Sequence, residues 1–282
     1  MIGIGPADAR YPTRLLDIRC PPDPLWLDGD PAIVANRAVS IVGTRRMTPY
    51  GGRVARELAF ACAEAGIIVV SGLAQGVDSA AHEGALEAGG RTVAVLGSGI
   101  ASYLDEARGR RRRLAHAIRV TGALISEFPP DAPPKNWTFA QRNTTIAALG
   151  ELTAVVEAPI GSGALITAEE ARRLGRPVYA VPGPIGVAAS AGANALIANR
   201  RANALTGVAM LLEALEIPPV QRTQADPDED ARVLDVLAAS PLDPDALARR
   251  LGLTTTALAA IVARLLTRGR IGVAADGRFA RR

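Results

Sequence analysis

The chain of 282 residues has few of the side chains that hold metals or form disulfides. It contains two cysteines, Cys20 and Cys62, no Cys-x-x-Cys pair, and two histidines. Because a structural zinc site needs several closely spaced Cys and His ligands, we expect no metal. No apolar run approaches the ~18 residues of a membrane span, and no basic segment precedes an apolar stretch at the N-terminus. These absences predict a soluble cytoplasmic protein with no membrane span.

Lysine and aromatic residues are also scarce. Lys135 is the only lysine, and aromatic residues make up 4% of the chain. The net charge of +4 at pH 7 permits a polyanionic partner without requiring one. The planar guanidinium of arginine suits phosphate binding, but an alanine- and arginine-rich coding bias gives the same skew. The arginine content alone therefore does not indicate whether the protein binds phosphates.

Short apolar runs alternate with helical patterns between residues 38 and 181. Each apolar run predicts a buried strand, and the segments between most of them predict helices. Strand alternating with helix indicates an α/β fold with a doubly wound, mostly parallel sheet. The predicted strands are 38–42, 67–70, 92–96, 124–125, 152–156 and 178–181, and the predicted helices are 54–65, 77–88, 111–119, 138–149 and 164–174.

Changes in composition divide the chain into two domains. Prolines before residue 25 predict an irregular lead that wraps the edge of a first domain, residues 1–217. Prolines, polar residues and an acidic run predict a linker over residues 218–230. The remaining residues, 231–282, are expected to form a small C-terminal domain.

The pattern of this C-terminal domain predicts a winged helix, because three short helical patterns precede a hairpin signal at Asp276-Gly277. The third helix exposes mainly threonine and alanine, which read bases poorly. A protein-contacting or tethering role is therefore favoured. The predicted helices are 231–238, 244–251 and 255–267, and the third is expected to bury Leu258, Ile261, Val262, Leu265 and Leu266.

The first candidate site is Gly43-Thr44-Arg45-Arg46, which follows the opening strand and precedes a helix. A polar glycine turn at that position is typical of an anion site, because backbone N–H groups point at the ligand. It is not the Gly-x-Gly-x-x-Gly dinucleotide fingerprint, and Lys135 follows no P-loop glycines. We therefore expect no nucleotide cofactor. A tight turn with a solvated arginine is the alternative.

The second candidate is the segment 71–78, Ser-Gly-Leu-Ala-Gln-Gly-Val-Asp, with His82 four residues after Asp78 on the same helical face. An Asp–His pair can orient a general base. Since no nucleophile is evident beside the pair, a structural imidazole held over the helix start is the favoured prediction.

The third candidate combines aromatic and cationic residues after a proline-rich stretch. Aromatic faces stack bases while arginine and asparagine hold phosphate or sugar, which is typical of single-stranded nucleic acid sites. Core packing is the alternative for the aromatic residues. Farther on, an apolar strand ends at Glu157, and Gly161-Ser162-Gly163 opens a helix, which predicts a second anion-binding turn. The residues of the third candidate are Trp137, Phe139, Arg142 and Asn143.

Together these segments resemble the bacterial DNA processing protein A family (DprA, also called Smf). Seven segments in one order, over about residues 11–197, are far more specific than any one of them. The likeness is weaker at the C-terminal domain. The segments are VGTRRMTPYG, SGLAQGVDSAAHEGAL, TVAVLGSGI, LISEFPP, the Phe-x-x-Arg-Asn of 139–143, VVEAPIGSGALITAEEA, and YAVPG followed by SAGANALI.

The resemblance implies an extended Rossmann-like domain, usually dimeric, that binds single-stranded DNA without catalysis. It also implies a RecA-type recombinase as a partner, which such proteins help to load during natural transformation. The DNA-binding residues implied are Gly43, Thr44 and Arg45 on phosphates, Phe139 on a base, Arg142 and Asn143 in an arginine–asparagine motif, Lys135 as an extra phosphate contact, and Gly161, Ser162, Gly163 and Thr167 on the opposite rim, with Ser71 completing the set.

The chain also departs from the family pattern. Thr144 stands where a second arginine usually follows Arg-Asn, and Leu104 replaces a proline expected after Tyr103. A charged run over residues 105–113 contains five arginines, which form either a new phosphate contact or a solvated helix face. Arg201-Ala202 replaces the family's Gly-Ala, in a segment that completes the domain.

Two other functions stay open. Related Rossmann-like phosphoribohydrolases place a glycine-rich loop and a glutamate in a similar pocket, so Glu157 or Glu169 would be the acid or base of a nucleotide-processing enzyme. The Pro-Gly-Gly-x-Gly-Thr motif of those enzymes is absent before the helix. A transcriptional regulator acting through the winged helix is disfavoured by the uncharged face of its recognition helix.

Overall fold

The computed structural model describes residues 1–218, 227–267, 269–274 and 276–281. The chain divides into two compact units, Met1–Pro218 and Pro219–Arg282. The larger unit contains an α/β sheet, and the smaller unit contains helices and a β-hairpin. Within the described ranges, no helix is both long and apolar enough to cross a membrane.

The strands of the larger unit are β1 (Ile2–Ile4), β2 (Leu25–Gly29), β3 (Ala38–Val42), β4 (Ile68–Ser71), β5 (Thr92–Leu96), β6 (Ala123–Ser126), β7 (Thr153–Val155), β8 (Val178–Ala180) and β9 (Asn203–Ala204). They form one sheet in the order β1-β2-β6-β5-β4-β3-β7-β8-β9. Strand β2 pairs antiparallel with β1 and with β6, and the other strand pairs described are parallel. The predicted doubly wound, mostly parallel sheet is confirmed.

The helices of the larger unit are α1 (Pro49–Glu64), α2 (Val77–Glu87), α3 (Ile100–Glu106), α4 (Gly109–Thr121), α5 (Asn136–Leu149), α6 (Gly163–Arg173), α7 (Ala188–Ala198) and α8 (Val208–Ala214). Helix α1 begins at Pro49 rather than at residue 54, because the Thr48 hydroxyl accepts a hydrogen bond from the Gly51 N–H at 3.2 Å. The sequence did not predict α3, which is short, or α7, whose alanines, glycine and serine show no clear apolar period.

Helices cover both faces of the central sheet. Val39 and Ile41 of β3 lie in one apolar cluster with residues of α1 and α2, while Ala38 and Val42 lie in another with residues of α5. Because successive side chains of a strand point to opposite faces, a strand covered on both sides is apolar throughout. This explains why β3 is apolar except at Ser40, whose buried hydroxyl donates to the Ile146 carbonyl at 2.6 Å.

The N-terminal lead was expected to be irregular, and part of it is strand. Strand β2 pairs with β6, so β1 and β2 extend the edge of the sheet. Leu25 and Leu27 of β2 are fully buried, whereas Trp26 between them is not. This alternation was too short for the sequence to predict a strand.

The smaller unit contains α9 (Pro227–Ala239), α10 (Pro244–Leu251), α11 (Thr255–Thr267), β10 (Ile271–Val273) and β11 (Phe279–Arg281). The last two strands pair antiparallel, as the hairpin signal predicted. Residues 219–226 of the predicted linker lie outside the described residues, and the prediction was wrong for 227–230, which are helical. Proline suits the first position of a helix, and acidic residues suit its first turn. Leu266 was expected to be buried but is 37% exposed.

Candidate nucleic-acid interface

The strand order reverses between β3 and β7. These strands are neighbours in the sheet, although β4, β5 and β6 lie between them in the chain. Ligands of open α/β sheets bind at such a switch point, beyond the carboxyl ends of the strands. A cavity of about 470 Å³ lies there. The predicted site residues that line it are Gly43, Thr44, Arg45, Phe139, Arg142, Asn143, Gly161, Ser162, Gly163 and Thr167.

The loop after β3 forms one wall of this switch-point cavity. The Thr44 N–H donates to the Glu157 carbonyl at 2.6 Å, and the Thr44 carbonyl accepts from the Val77 N–H at 3.2 Å. A Cβ atom on Gly43 would lie 2.6 Å from Cγ2 of Val77, so only glycine fits between the loop and α2. Arg45 follows this fixed backbone and is exposed to solvent. The loop therefore presents a cation from a rigid base.

A buried ion pair forms the floor of the cavity. Arg142 of α5 and Asp78 of α2 are each 5% exposed, and Nη1 of the arginine lies 3.9 Å from Oδ2 of the aspartate. The backbone N–H groups of Gly43, Gly72 and Ala74 lie close to the Asp78 carboxylate and favour its charged form. Burial raises the pKa of Asp78, while the charge of Arg142 and these N–H groups act in the opposite direction. Burial also lowers the pKa of Arg142.

The ring of Phe139 brings two guanidinium groups together. Cζ of Arg45 lies 5.4 Å from the ring centroid, and Cζ of Arg142 lies 6.0 Å from it. Both distances are within the range of cation–π attraction. A Cβ atom on Gly97 would lie 2.5 Å from Cδ1 of Phe139, so the ring packs directly on the backbone after β5. An aromatic face and two cations therefore meet at one point of the cavity.

The opposite rim is the turn that opens α6. The Ser162 hydroxyl caps this helix by accepting from the Ala164 N–H at 3.3 Å. Gly161 has φ +79°, which favours glycine, and Nδ2 of Asn143 donates to the Gly163 carbonyl at 3.3 Å. Asn143 thus joins this rim to α5. Exposed Gly161 and Gly163 leave backbone accessible at the positive end of the helix.

Two residues of the predicted set are not among those that line the cavity. Ser71 is 0% exposed, and its hydroxyl donates to the Ile41 carbonyl at 2.6 Å, so it joins two strands inside the sheet. Lys135 precedes α5 and is exposed. Trp137 packs edge-on against Phe128, with ring centroids 5.7 Å apart. It is 56% exposed, so it is not a core residue, and it does not line the cavity.

The cavity is also lined by residues that were not in the predicted DNA-binding set. Arg46 lines it beside Arg45, and Asn136 lines it from the first turn of α5. Arg46 was visible as the second arginine of the loop motif. Asn136 lies one residue before the aromatic cluster and had no signal of its own.

His82 bonds to a strand rather than to Asp78. Its Nδ1 atom lies 2.7 Å from the Thr92 hydroxyl of β5, and the side chain is completely buried. Burial, assisted by the charge of Arg142, lowers the pKa of His82 to about 3, so the imidazole is neutral. This geometry supports the structural role for the imidazole.

The two candidate acid–base glutamates are not among the residues that line the cavity. The Glu157 carboxylate accepts from the Thr48 N–H at 2.9 Å and from the Thr48 hydroxyl at 2.6 Å, and it is 2% exposed. Glu169 pairs with Arg172 at 3.0 Å on α6. Within the described part of the chain, no cluster of three or more His, Cys, Asp or Glu residues could hold a metal ion.

The sheet and its switch-point cavity define a Rossmann-like α/β protein, and the cavity is lined by arginine and aromatic side chains and by glycine-rich turns. The chain belongs to the DNA recombination-mediator protein A family, whose model matches residues 3–216. The model of the DprA winged helix domain matches residues 217–277. The family resemblance and the winged-helix prediction are confirmed.

Protein Smf from Escherichia coli strain K12 is 39% identical over 193 residues, which are 68% of this chain and 51% of that protein. The chain spans about half the length of such curated relatives. The X-ray structure of DNA processing protein A from Streptococcus pneumoniae matches with a TM-score of 0.69 at 34% identity, over 75% of this chain and 73% of that one. A Helicobacter pylori DNA processing protein A structure, described for its single-stranded DNA binding mode, has a TM-score of 0.66 at 27% identity, over 73% of this chain and 93% of that one.

Proposed function

We propose that this protein binds single-stranded DNA in the switch-point cavity, protects incoming DNA and helps load a RecA-type recombinase in natural transformation. The observation that carries the DNA-binding proposal is the meeting of Arg45 and Arg142 at the Phe139 ring, beside two glycine-rich turns. Family membership and the single-stranded DNA binding of the Helicobacter pylori relative support it.

The chemistry of the cavity suits an unpaired strand. A base can stack on the Phe139 ring only if its face is free, which excludes a base inside a duplex. Arg45 is exposed and can turn from the ring toward a phosphate, where its planar fork makes paired hydrogen bonds. The turn at Gly161 and Gly163 offers backbone N–H groups to a second phosphate. Lys135 extends this positive path beyond the cavity.

The remaining parts of the proposal rest on the family. We propose a cytoplasmic homodimer in which residues 1–217 bind the strand. The C-terminal domain, residues 231–282, serves as a tether or a protein contact, because the exposed positions described for α11 are Thr255, three alanines and Leu266, which read bases poorly. The recombinase is the macromolecular partner of the DNA-bound form.

Binding without catalysis is proposed over nucleotide processing. The placement of Glu157 and Glu169 supports this choice, because Thr48 holds the first and Arg172 holds the second away from the cavity lining.

A displacement assay tests the proposed single-strand binding, with a labelled oligo-thymidine strand competed by unlabelled single strand or by duplex. We expect displacement by the single strand alone. Equal displacement by both would contradict single-strand selectivity, and release of free base from nucleoside monophosphates would support the enzyme.

A further inference from the structure

A second cavity adjoins the switch-point cavity in the larger unit. It has a volume of about 300 Å³, at the lower end of the range for small-molecule pockets. The two cavities share Arg45, Ala74, Phe139 and Arg142 as lining residues. A strand lying at Phe139 in the first cavity therefore has the second within reach of its next nucleotide. The second cavity is further lined by Gly97, Ser98, Tyr103, Glu106 and Arg111.

Arg111 comes from the arginine-rich run over residues 105–113, and the structure gives the arginines of this run different environments. Arg108 donates to the carbonyl of Ala107 at 2.9 Å, and Arg110 pairs with Glu83 at 2.6 Å. The Arg111 guanidinium instead lies over the Tyr103 ring, with its Cζ 5.2 Å from the centroid. It is exposed at the edge of the second cavity, so it can move from the ring to a phosphate.

Two buried polar atoms of the residues that line this cavity lack hydrogen-bond partners among the described protein atoms. These are the hydroxyl of Tyr103 and Nε of Arg142, a residue that is 5% exposed overall. A buried donor without a partner is costly, so a ligand that accepts from it recovers free energy. Both atoms are covered in this conformation, so a pyrimidine carbonyl, an acceptor of the kind that both groups need, reaches them only when the groups that cover them move aside.

The charge of the second cavity favours an anionic ligand. Arg45, Arg111 and Arg142 outnumber Glu106, the one carboxylate among the described residues that line it. Leu73 and Leu96 contribute apolar walls that suit the faces of a base. The lining therefore combines apolar surface, hydrogen-bond donors and positive charge, which together match a nucleotide.

We propose that the second cavity is a nucleotide subsite, which takes the base adjacent to the one stacked on Phe139 while Arg111 holds the neighbouring phosphate. The proposal rests on the single-stranded DNA binding proposed above. It assigns a binding role to Arg111 and Tyr103. Arg111 thereby differs in function from the solvated arginines of the same helix.

The first test compares Arg111→Gln with Arg112→Gln. Both replacements remove one exposed charge from α4, but Arg112 does not line the cavity. For a labelled oligo-thymidine strand at low salt, we expect Arg111→Gln to weaken binding roughly tenfold and to make the slope of log K against log salt shallower by about 0.7. Arg112→Gln should change binding much less. Equal losses in the two variants would overturn the proposal, because general electrostatics would then suffice.

The second test locates the bases directly. Oligo-thymidine strands carry one photoreactive thymidine at successive positions, and cross-linked peptides are identified by mass spectrometry. We expect adjacent positions to cross-link to the peptides that contain Phe139 and Tyr103, and we expect Tyr103→Phe to weaken binding several-fold. Cross-links to the Phe139 peptide without any to the Tyr103 peptide would overturn the subsite while leaving DNA binding intact. If the unmodified protein bound no strand, the proposed function itself would fail.

Discussion

Asp78 and Arg142 face each other in the interior of the larger unit, with Oδ2 and Nη1 3.9 Å apart. The backbone N–H groups of Gly43, Gly72 and Ala74 lie close to the same carboxylate. One side chain thus fixes the loop after β3, the loop after β4 and the guanidinium from α5. The walls of the switch-point cavity therefore depend on Asp78, although this residue is too buried to bind a ligand extensively.

Asp78→Asn should destabilise the larger unit and weaken single-strand binding. The amide keeps the volume, but it leaves Arg142 without its counter-charge and places an NH₂ donor among N–H donors. We expect the free energy of unfolding to fall by about 3 kcal/mol. Urea unfolding followed by tryptophan fluorescence measures it, because Trp26 and Trp137 both lie in this unit. Exposed Asp131→Asn is the control, and unchanged stability of Asp78→Asn would contradict the assigned role.

Gly72→Ala tests how tightly the Arg142 guanidinium is seated. A Cβ atom at this position would lie 1.4 Å from Nη1 of Arg142, so the side chain must move. We expect affinity for an oligo-thymidine strand to drop roughly tenfold, as for loss of a charge-assisted contact. Gly207→Ala is the matched control, because nothing lies within 4 Å of its added Cβ atom. Binding as in the unmodified protein would show that Arg142 need not occupy this position.

His82 should make the larger unit acid-sensitive. Burial holds its pKa at about 3 in the folded protein, against about 6.5 in an unfolded chain. Between these values the unfolded chain binds a proton that the folded protein excludes. The stability associated with neutral His82 is therefore complete above pH 6.5 and is lost as the pH falls, by up to about 1.4 kcal/mol per pH unit.

The measurement is urea unfolding of the unmodified protein and of His82→Gln between pH 7 and pH 5. We expect the variant to lose less stability over this window than the unmodified protein does. Replacement of the other histidine, His116→Gln, is the matched control because His116 is exposed. Parallel pH profiles for the unmodified protein and His82→Gln would contradict the assignment.

The sequence predicted the central strands well, because burial on both faces makes each of them a short apolar run. It did not predict β1 and β2, whose alternating pattern extends over few residues, or the partly helical segment taken for a linker. The adjacency of β3 and β7 was also beyond the sequence, because pairing between distant segments depends on how all the crossovers pack. That adjacency creates the cavity.

For the candidate site, residue type and position after a strand predicted the loop residues that line the cavity. Ser71 also follows this rule, but its side chain turns into the sheet and bonds to Ile41. Arg111 was predicted only as one member of a charged run. Its separation from Arg110 depends on which side chain meets Tyr103 and which meets Glu83, and this follows from the packing of α4.

The central claim is that the cavity between β3 and β7 holds the single strand. The most direct test is a salt series of anisotropy titrations with oligo-thymidine for the unmodified protein, Arg45→Ala, Phe139→Ala and the control Arg53→Ala, whose guanidinium lies over Tyr50 outside this cavity. We predict a salt slope shallower by about 0.7 for Arg45→Ala, and a loss of ~1–3 kcal/mol with an unchanged slope for Phe139→Ala. If both variants kept the affinity and the salt slope of the unmodified protein, the claim would be contradicted and the DNA would bind elsewhere.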